Sequence, residues 1–432
     1  MDRTTRRAAL ALSATLALAA PLVAASSAQA VSTEASPTAP AAATSPDSVY
    51  ALVADAARAA QRDVAGNRAL AHGPQTPTGS ALDAAVDALV ADGAVAVTAR
   101  VENGRHSWSG AAGTRERTGH APARERDRFR VASNTKPMIA TLVLQEVEKG
   151  TWTLDTPVED VLPGVMPAGV TIEQLLSHRS GAATATDWII ASRMTDLNSW
   201  DELFAVMGQE VTTADHITAL QSAPWVNEPG AAYSYSNAGY VVLGLMLEEV
   251  TGRSVENLLE RRVFAPAGMR QSDYPDDPGT RGPFLRESAY TGPEGAGWYD
   301  LDHFDPSLFA AAGAVTSTTE DLADFTEALV TGRLVDEETT ADMLEPRTIG
   351  QEGAPEYGLG VYRIPDPCTP GAWLYGHDGA SYGTISINLT SPDGARQVSV
   401  GITGRDVVYP FFTDEPLYDP SELFEEMLTQ TC

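Results

Sequence analysis

Apolar residues recur with two different periods along the chain, and these periods separate a β-rich beginning and end from a helical middle. Alternation at every second residue, which is typical of half-buried strands, occurs in residues 94–101, 106–113, 357–364, 374–389 and 397–402. Helical spacing with long loops dominates between about 154 and 346. We therefore predict an α+β fold (an α/β sandwich), with an antiparallel sheet of about five strands from the N- and C-terminal parts, flanked by helices, beside an inserted, mostly helical lobe.

Turn and capping signals refine this pattern. Asn103-Gly104 between the first two strands predicts a type I′ hairpin turn. Helical periodicity predicts four further helices, which cover residues 48–62, 81–91, 237–250 and about 419–429. Gly252 is placed to end the third of them, and Pro420 to open the last.

The first 30 residues have the three-part pattern of a secretory signal. Three arginines precede an Ala/Leu-rich run, and Ala28-Gln29-Ala30 follows it, so we expect cleavage after Ala30. Residues 31–47 are rich in Ala, Ser, Thr and Pro and predict a disordered linker, and residues 48–80 an N-terminal extension. No cysteine follows the apolar run and no later run is long enough to span a bilayer. We expect a secreted, extracellular monomer without a membrane anchor.

Charge and cysteine content exclude some partners. The 432-residue chain has a formal net charge of −29, which disfavours nucleic acid and anionic membrane surfaces. Two cysteines in an oxidising compartment predict a disulfide between Cys368 and Cys432, the alternatives being two free thiols or an intermolecular bridge. Neither cysteines nor histidines have metal-ligand spacing, so we expect no metal and no cofactor.

The stretch from Arg126 to Gly150 carries the first chemical signal. A short alternating run leads into Ser133-Asn134-Thr135-Lys136 and then into a long amphipathic pattern. Residues three apart share one face of a helix, so the Lys136 amine lies beside the Ser133 hydroxyl and can serve as its base. Only two lysines occur in the chain, which argues against the alternative of a capping serine followed by a solvated lysine.

Two further segments complete a pattern. Tyr235 and Asn237 lie in a Tyr-Ser-Asn motif, and His377-Asp378-Gly379 lies on a predicted strand. With the surrounding phrases RFRVASNTK, TIEQLLSHRSG, PGAAYSYSNAGYVVLG, AAGAVTST, YGLG and YGHDG, the sequence resembles the serine penicillin-recognising enzymes, the superfamily of class C β-lactamases and DD-peptidases. It is most similar to the secreted serine D-alanyl-D-alanine carboxypeptidases. The resemblance covers about 81–432, which we interpret as one serine hydrolase domain of β-lactamase/DD-peptidase-like fold.

The resemblance implies a mechanism for these residues. Ser133 would form an acyl-enzyme while Lys136 and Tyr235 share the proton transfers, either one being the base. His377 would line the cleft and polarise the Tyr235 hydroxyl. The substrate would be held by Asn237, Asp378, Gly379 and Ala380, with the N–H groups of Ser133 and Ala380 facing the oxyanion. The implied substrates are peptidoglycan stem peptides, with β-lactams as inhibitors. His178 is expected to brace a loop.

The sequence also departs from the carboxypeptidase pattern. Those relatives read His-Thr-Gly, and the carboxylate of Asp378 would repel a substrate's free carboxylate. They also carry a carboxylate-binding arginine shortly after YGLG, where this chain has Tyr362; Arg363 is adjacent, but neighbouring strand residues face opposite sides. The alternatives are therefore an esterase or D-amino-acid amidase on the same scaffold, and a non-catalytic penicillin-sensing or cell-wall binding protein.

One serine motif is discounted. Residues 379–383 fit Gly-x-Ser-x-Gly, but a nucleophile elbow requires a strand, a turn and then a helix. The β-type alternation continues after Ser381. Ser381 is therefore not predicted to be the nucleophile.

Overall fold

A computed structural model describes residues 46–68, 79–280, 282–292, 297–351, 354–408 and 416–432. They all belong to one structural unit. The predicted signal peptide and the predicted linker, apart from its last two residues, lie outside the described residues. Within the described ranges, no helix has both the length and the apolar character required to cross a bilayer.

Thirteen α-helices occur in the part of the chain that the structure describes. They are α1 (Pro46–Arg68), α2 (Gly79–Asp92), α3 (Thr135–Glu148), α4 (Ile172–Leu176), α5 (Thr186–Arg193), α6 (Trp200–Met207), α7 (Thr213–Ser222), α8 (Asn237–Thr251), α9 (Val255–Leu259), α10 (Ala265–Ala267), α11 (Thr319–Val330), α12 (Glu337–Leu344) and α13 (Ser421–Gln430). The predicted helices correspond to α1, α2, α3, α8 and α13 and are confirmed. Gly252 ends α8 in the left-handed conformation, as its position predicts.

Twelve strands occur in the same ranges. They are β1 (Ala96–Asn103), β2 (His106–Gly113), β3 (Phe129–Arg130), β4 (Ser288–Tyr290), β5 (Trp298–Asp300), β6 (Thr316–Ser317), β7 (Glu356–Tyr357), β8 (Tyr362–Pro365), β9 (Trp373–Ala380), β10 (Thr384–Thr390), β11 (Arg396–Thr403) and β12 (Arg405–Asp406). Seven of them form the main sheet in the order β2-β1-β11-β10-β9-β8-β7. Every neighbouring pair is antiparallel. This confirms the predicted antiparallel sheet from the two ends of the chain, with seven strands rather than about five.

Three local predictions need correction. The turn between β1 and β2 consists of Gly104 and Arg105, because Asn103 still pairs with His106. Only Gly104 of the two turn residues has positive φ, whereas a type I′ turn requires it at both. The pattern at 374–389 is a hairpin of two strands, and that at 357–364 divides into β7 and β8 around a glycine-containing turn.

The sheet separates two apolar cores. One face packs against α1, α2 and α13, with Ile385, Ile387 and Leu389 of β10 on this side. The other face meets the helical lobe, where the alternate residues of β10 are polar. Asn388 donates from Nδ2 to the Leu322 carbonyl of α11 at 2.8 Å. The face with polar anchors is the one on which the candidate site lies.

A disulfide between Cys368 and Cys432 joins the β8–β9 connection to the last residue of the chain, which confirms that prediction. Cys432 follows α13 closely. The helix that covers one face of the sheet is therefore covalently attached to the sheet's own β8–β9 loop.

Candidate functional site

Ser133 lies in a 3-10 turn, Ala132–Asn134, between β3 and the first residue of α3. Its side chain is nearly buried, with 8% of the residue exposed. Ala132 has a φ of 48°, a left-handed conformation that costs a residue with a side chain about 1–3 kcal/mol. The surrounding structure therefore holds the backbone at Ser133 in a conformation that the local sequence does not favour.

Strands β9 and β10 support this turn. The Ser386 hydroxyl donates to the Val131 carbonyl and accepts from Asn134 Nδ2, both at 2.8 Å. Gly379 on β9 approaches so closely that a Cβ there would lie 2.2 Å from the Val131 carbonyl oxygen and 3.1 Å from the Ser133 nitrogen. Glycine is required at 379 because any side chain would displace the turn that carries Ser133.

The backbone of Ala380 is available to a substrate. Ser381 N–H donates to the Thr384 carbonyl at 2.9 Å, and hydrogen-bonded and non-hydrogen-bonded pairs alternate along an antiparallel ladder. The next pair, Ala380 with Ile385, is therefore of the non-hydrogen-bonded kind. On the other side, the pairing of β8 with β9 reaches only Gly376. The N–H and carbonyl of Ala380 thus point away from β10, past the end of β8.

The Lys136 amine lies at the centre of the site and is fully buried. Its Nζ lies 3.0 Å from Ser133 Oγ, 2.8 Å from Asn237 Oδ1 and 2.8 Å from the Ala312 carbonyl oxygen. Burial lowers the pKa of Lys136 well below its ordinary value, while the negative charge of Asp378 acts in the opposite direction. The geometry brings together the serine and lysine that the sequence places three residues apart.

These three contacts suit a neutral amine. A neutral amine has two N–H groups and one lone pair. Asn237 Oδ1 and the Ala312 carbonyl are acceptors and take the two hydrogens. The lone pair then faces Ser133 Oγ, where it can accept the hydroxyl proton. The same assignment turns the Nδ2 hydrogens of Asn237 away from Lys136.

Tyr235 is a second partner of Ser133. Its hydroxyl donates to Ser133 Oγ at 2.7 Å, and Lys136 Nζ lies 4.8 Å from the centre of its ring. Ser133 therefore contacts both a phenol and an amine. This arrangement can move a proton off the serine on one side and deliver one on the other.

His377 makes a different contact from the expected one. Its Nε2 lies 2.9 Å from the Tyr357 hydroxyl, and its Nδ1 contacts the Asp378 carbonyl. A neutral ring satisfies both, because Nδ1–H donates to the carbonyl while Nε2 accepts from the phenol. Burial lowers the pKa of His377 to about 3. His377 thus lines the site as a neutral group, and Tyr357 rather than Tyr235 is its phenol partner.

Asp378 is on the opposite face of β9 from His377. Asp378 pairs with Ile387 of β10, on the face of the sheet that packs under α1. Only 2% of Asp378 is exposed. Tyr362 lies on the same face, opposite Gly376, and burial followed by the charge of Asp378 raises its pKa well above the ordinary value. Tyr50 of α1 packs edge-on against Tyr362, with ring centroids 4.9 Å apart. The two departures from the carboxypeptidase pattern are therefore neighbours in space.

Arg363 does not take the place of the missing arginine. Its Nε lies 2.7 Å from Glu356 Oε2, and its guanidinium lies 4.2 Å from the centre of the Trp373 ring. Both contacts hold the cation at the outer edge of the sheet.

Sequence reasoning missed two contributors. Tyr357, noted only as part of the YGLG phrase, is buried and bonds His377. His178, expected to brace a loop, does so, but the loop is the one that carries Tyr235, and the two rings lie 4.2 Å apart. The joint occurrence of the Ser-His-Arg-Ser-Gly and Tyr-Ser-Asn phrases was the available signal. Neither phrase by itself shows that they touch.

Ser381 is placed as predicted, between two strands rather than before a helix. Its hydroxyl hydrogen-bonds the Glu287 carboxylate, which also accepts from Thr384 Oγ1 at 2.9 Å. This serine anchors the β9–β10 turn. Among the described residues, no group of three or more His, Cys, Asp and Glu side chains is arranged to hold a metal ion.

Comparison of the sequence with known proteins places this chain in a family. The model of the family described as Beta-lactamase matches residues 82–402. Penicillin-binding protein 4 of Amycolatopsis lactamdurans is 30% identical over 324 residues, which cover 69% of this chain and 76% of that protein. Esterase EstB of Burkholderia gladioli is 33% identical over 212 residues, 45% of this chain and 50% of the esterase. The chain thus spans only half the length of that relative.

A solved structure matches as well. The D-stereospecific amidohydrolase from a Streptomyces species is 28% identical with a TM-score of 0.67, and the match covers 76% of this chain and 95% of that one. The two proteins therefore share a fold over about three quarters of this chain. These relatives share a scaffold but have different named activities.

Proposed function

This chain belongs to the Beta-lactamase family of serine hydrolases, and we propose that it is an amidohydrolase that cleaves amides of D-configured residues through an acyl-enzyme on Ser133. The family supplies the class of reaction, since its members work through a serine. The finer assignment rests on two departures from the carboxypeptidase pattern: Tyr362 and Asp378 stand at the positions of carboxylate-binding groups, and both are buried on the face of the sheet that packs under α1.

Acylation would begin at the two contacts of Ser133. Lys136 accepts the hydroxyl proton through its free lone pair as Oγ bonds to the substrate carbonyl carbon. The developing oxyanion faces the N–H groups of Ser133 and Ala380, and one such donor is typically worth about 3–4 kcal/mol in the transition state. Gly379 makes this possible because it lets the two backbone segments approach.

Collapse of the intermediate breaks the carbon–nitrogen bond. An amine is a poor leaving group unless it is protonated, and the Tyr235 hydroxyl is placed to give that proton and to be replenished from Lys136. A water molecule then attacks the ester with the same groups acting in reverse. The bond from the acyl carbon to Ser133 Oγ breaks, and the serine regains its hydrogen.

Among the described residues, the cations near the end of β9 already have protein partners, and this carries the choice of substrate; one of them, Arg405, donates to the Ser381 carbonyl. Within the described residues that line this side of β9, Arg363 is paired with Glu356, and Lys136 is committed to Ser133, Asn237 and Ala312. The Asp378 carboxylate adds negative charge behind the strand. A substrate whose leaving group ends in a carboxylate would be repelled, whereas a neutral amide would not.

A second candidate is a D-alanyl-D-alanine carboxypeptidase. The motif phrases and the 30% identity to penicillin-binding protein 4 over 324 residues favour it. This alternative retains Ser133, Lys136 and Tyr235 in the same roles and differs only in the leaving group. The predicted signal peptide and the disulfide support a place of action outside the cytoplasm for either activity.

A substrate panel tests the proposal. We expect release of ammonia from D-alaninamide at a higher kcat/KM than release of D-alanine from N-acetyl-D-alanyl-D-alanine, and little turnover of L-alaninamide. Ser133→Ala should abolish turnover, whereas Ser381→Ala, which changes the serine of the discounted motif, should retain it. Faster release of D-alanine from the dipeptide would establish the carboxypeptidase instead. Turnover of p-nitrophenyl acetate alone would establish an esterase.

A further inference from the structure

We infer that His178 is a positioning residue that holds the Tyr235 phenol within hydrogen-bond reach of Ser133. It precedes Tyr235 by 57 positions and is 1% exposed. The inference rests on the proposed function only in taking Tyr235 as the group that carries the proton to the leaving nitrogen.

The backbone on both sides of Tyr235 is bonded to this one residue. Ser234 N–H donates to the His178 carbonyl at 2.8 Å. Ser236 N–H donates to His178 Nδ1 at 3.1 Å. The residue before and the residue after Tyr235 are thus fixed by the main chain and by the ring of His178.

The side chains are in contact as well. The rings of His178 and Tyr235 lie 4.2 Å apart between centroids with an interplanar angle of 30°. Tyr357 and Tyr240 border the imidazole on other sides, at 4.9 and 5.2 Å. The imidazole has little room to turn, and the phenol that lies against it is directed toward Ser133 Oγ.

These contacts require a neutral imidazole. Because Nδ1 accepts the Ser236 N–H, the ring must carry its hydrogen on Nε2. A protonated ring would set an N–H against another N–H at this point. Burial lowers the pKa of His178 well below its ordinary value and so favours the neutral form.

The role is specific to Tyr235 because the following helix is held independently. Ser236 Oγ caps α8 by accepting the Gly239 N–H at 3.3 Å and donates to the Ala183 carbonyl at 2.9 Å. The start of α8 therefore does not depend on the imidazole. Loss of the ring is expected to free the phenol while the helix stays in place.

Substitution at 178 must respect the backbone, whose φ is 55°. Asparagine tolerates this left-handed conformation and offers an oxygen where Nδ1 stands, so His178→Asn keeps an acceptor for Ser236 but removes the ring. His178→Gly accepts the same conformation without any side chain. The buried His216, whose ring contacts the Ser307 carbonyl at 2.8 Å in the helical lobe, provides a matched control in His216→Asn.

The test is a double-mutant cycle with Tyr235→Phe. We expect His178→Asn to lower kcat about 100-fold on D-alanine p-nitroanilide, the scale of lost proton transfer, with KM changed less than about 3-fold. In the Tyr235→Phe background the same change should cost less than about 3-fold, because the group it positions is gone. His216→Asn should leave kcat unchanged, and thermal melting should show all variants folded.

Equal costs in both backgrounds would overturn the inference, as would a loss no larger than that of His216→Asn. If His178→Asn fails to fold, His178→Gly is measured against the same two criteria. The cycle is repeated with D-alanine methyl ester, whose alkoxide leaving group also needs a proton, so that it can be completed if the wild-type protein hydrolyses esters rather than amides. Failure of the amidohydrolase assignment, which appears in the wild type, is thereby distinguished from failure of the inference about His178.

Discussion

Lys136 Nζ lies 3.0 Å from Ser133 Oγ and is fully buried. Its two other contacts, Asn237 Oδ1 and the Ala312 carbonyl, are both acceptors. A buried amine with two acceptors can point its lone pair at a third group only in the neutral form. Burial lowers the pKa of Lys136 well below its ordinary value, so the site favours the form in which the lone pair faces Ser133 Oγ.

The first prediction concerns the pH dependence of stability. The folded-state pKa of Lys136 lies well below its ordinary value, so between those two values the unfolded chain binds a proton that the folded protein does not. Stability from this group therefore rises with pH across that window, by about 1.4 kcal/mol per pH unit. Denaturant unfolding of the wild type and of Lys136→Met at several alkaline pH values should give free energies whose difference has this slope. Parallel curves would contradict it.

The pH dependence of catalysis should also be set by the ionisation of Lys136. kcat/KM of the wild type is expected to rise with pH as Lys136 loses its proton and then to reach a plateau below the ordinary lysine pKa. Lys136→Arg, which remains charged, should be inactive at every pH. A variant of Lys149, the other lysine, should retain the wild-type profile, since Lys149 pairs with Glu146 at the end of α3.

A further prediction concerns the loss of stability in acid. The pKa of His377 is lowered to about 3 in the folded protein, below the unfolded value of about 6.5. As the pH falls through this interval the unfolded state takes up a proton first, so stability falls by about 1.4 kcal/mol per pH unit. His377→Gln should lose this part of the acid sensitivity, measured by urea unfolding at several pH values between these limits. An unchanged slope would show that His377 is charged in the folded protein.

Gly379 provides a steric prediction. Gly379→Ala would place a Cβ 2.2 Å from the Val131 carbonyl oxygen and so displace the turn of Ser133. We expect kcat to fall at least about 100-fold, because a misplacement of 1 Å has this effect on a reacting group. Gly239→Ala, whose Cβ would meet nothing closer than 3.5 Å, is the matched control and should retain activity. Comparable losses in both variants would refute the argument.

Leaving-group specificity gives a further prediction. Tyr362→Arg combined with Asp378→Thr restores the residues that the carboxypeptidases carry at these two buried positions and replaces a negative charge beside β9 by a positive one. A hydrogen bond to a charged group contributes about 1.5–3 kcal/mol, so kcat/KM for N-acetyl-D-alanyl-D-alanine should rise about 10- to 100-fold. The rate on D-alaninamide should not rise with it. A rise of equal size on both substrates would indicate a general change of the site rather than recognition of the carboxylate.

The extent to which sequence predicted this structure varies with the distance between the interacting residues. Ser133 and Lys136 are one helical turn apart, so their contact follows from helix geometry alone. The sheet followed from alternation, although the tight turns at Gly358 and Ser381 were hidden by apolar residues on both sides. Tyr235 and His377 were placed together only through the resemblance to a family.

Contacts that the sequence did not reveal depend on residues remote from each other. Nothing in the phrase around His178 shows that its carbonyl and its ring bond the two neighbours of Tyr235. The packing of Tyr50 on Tyr362 likewise depends on how α1 crosses the sheet. Alternation does place Asp378 and His377 on opposite faces of β9. The residues that each of them contacts, however, depend on how the helices pack against the sheet.

The position of α1 determines how far this protein can be shortened at its N-terminus. The family match begins at residue 82, so a shortened protein starting there would seem adequate. Yet α1 packs against α13 and the sheet through Val53, Ala57 and Ala60, each at most 1% exposed. Without α1, a continuous apolar surface beside Tyr362 would be exposed to water and would promote self-association. A useful recombinant version should therefore begin upstream of α1, and the helix is better regarded as part of the enzyme body than as an appendage.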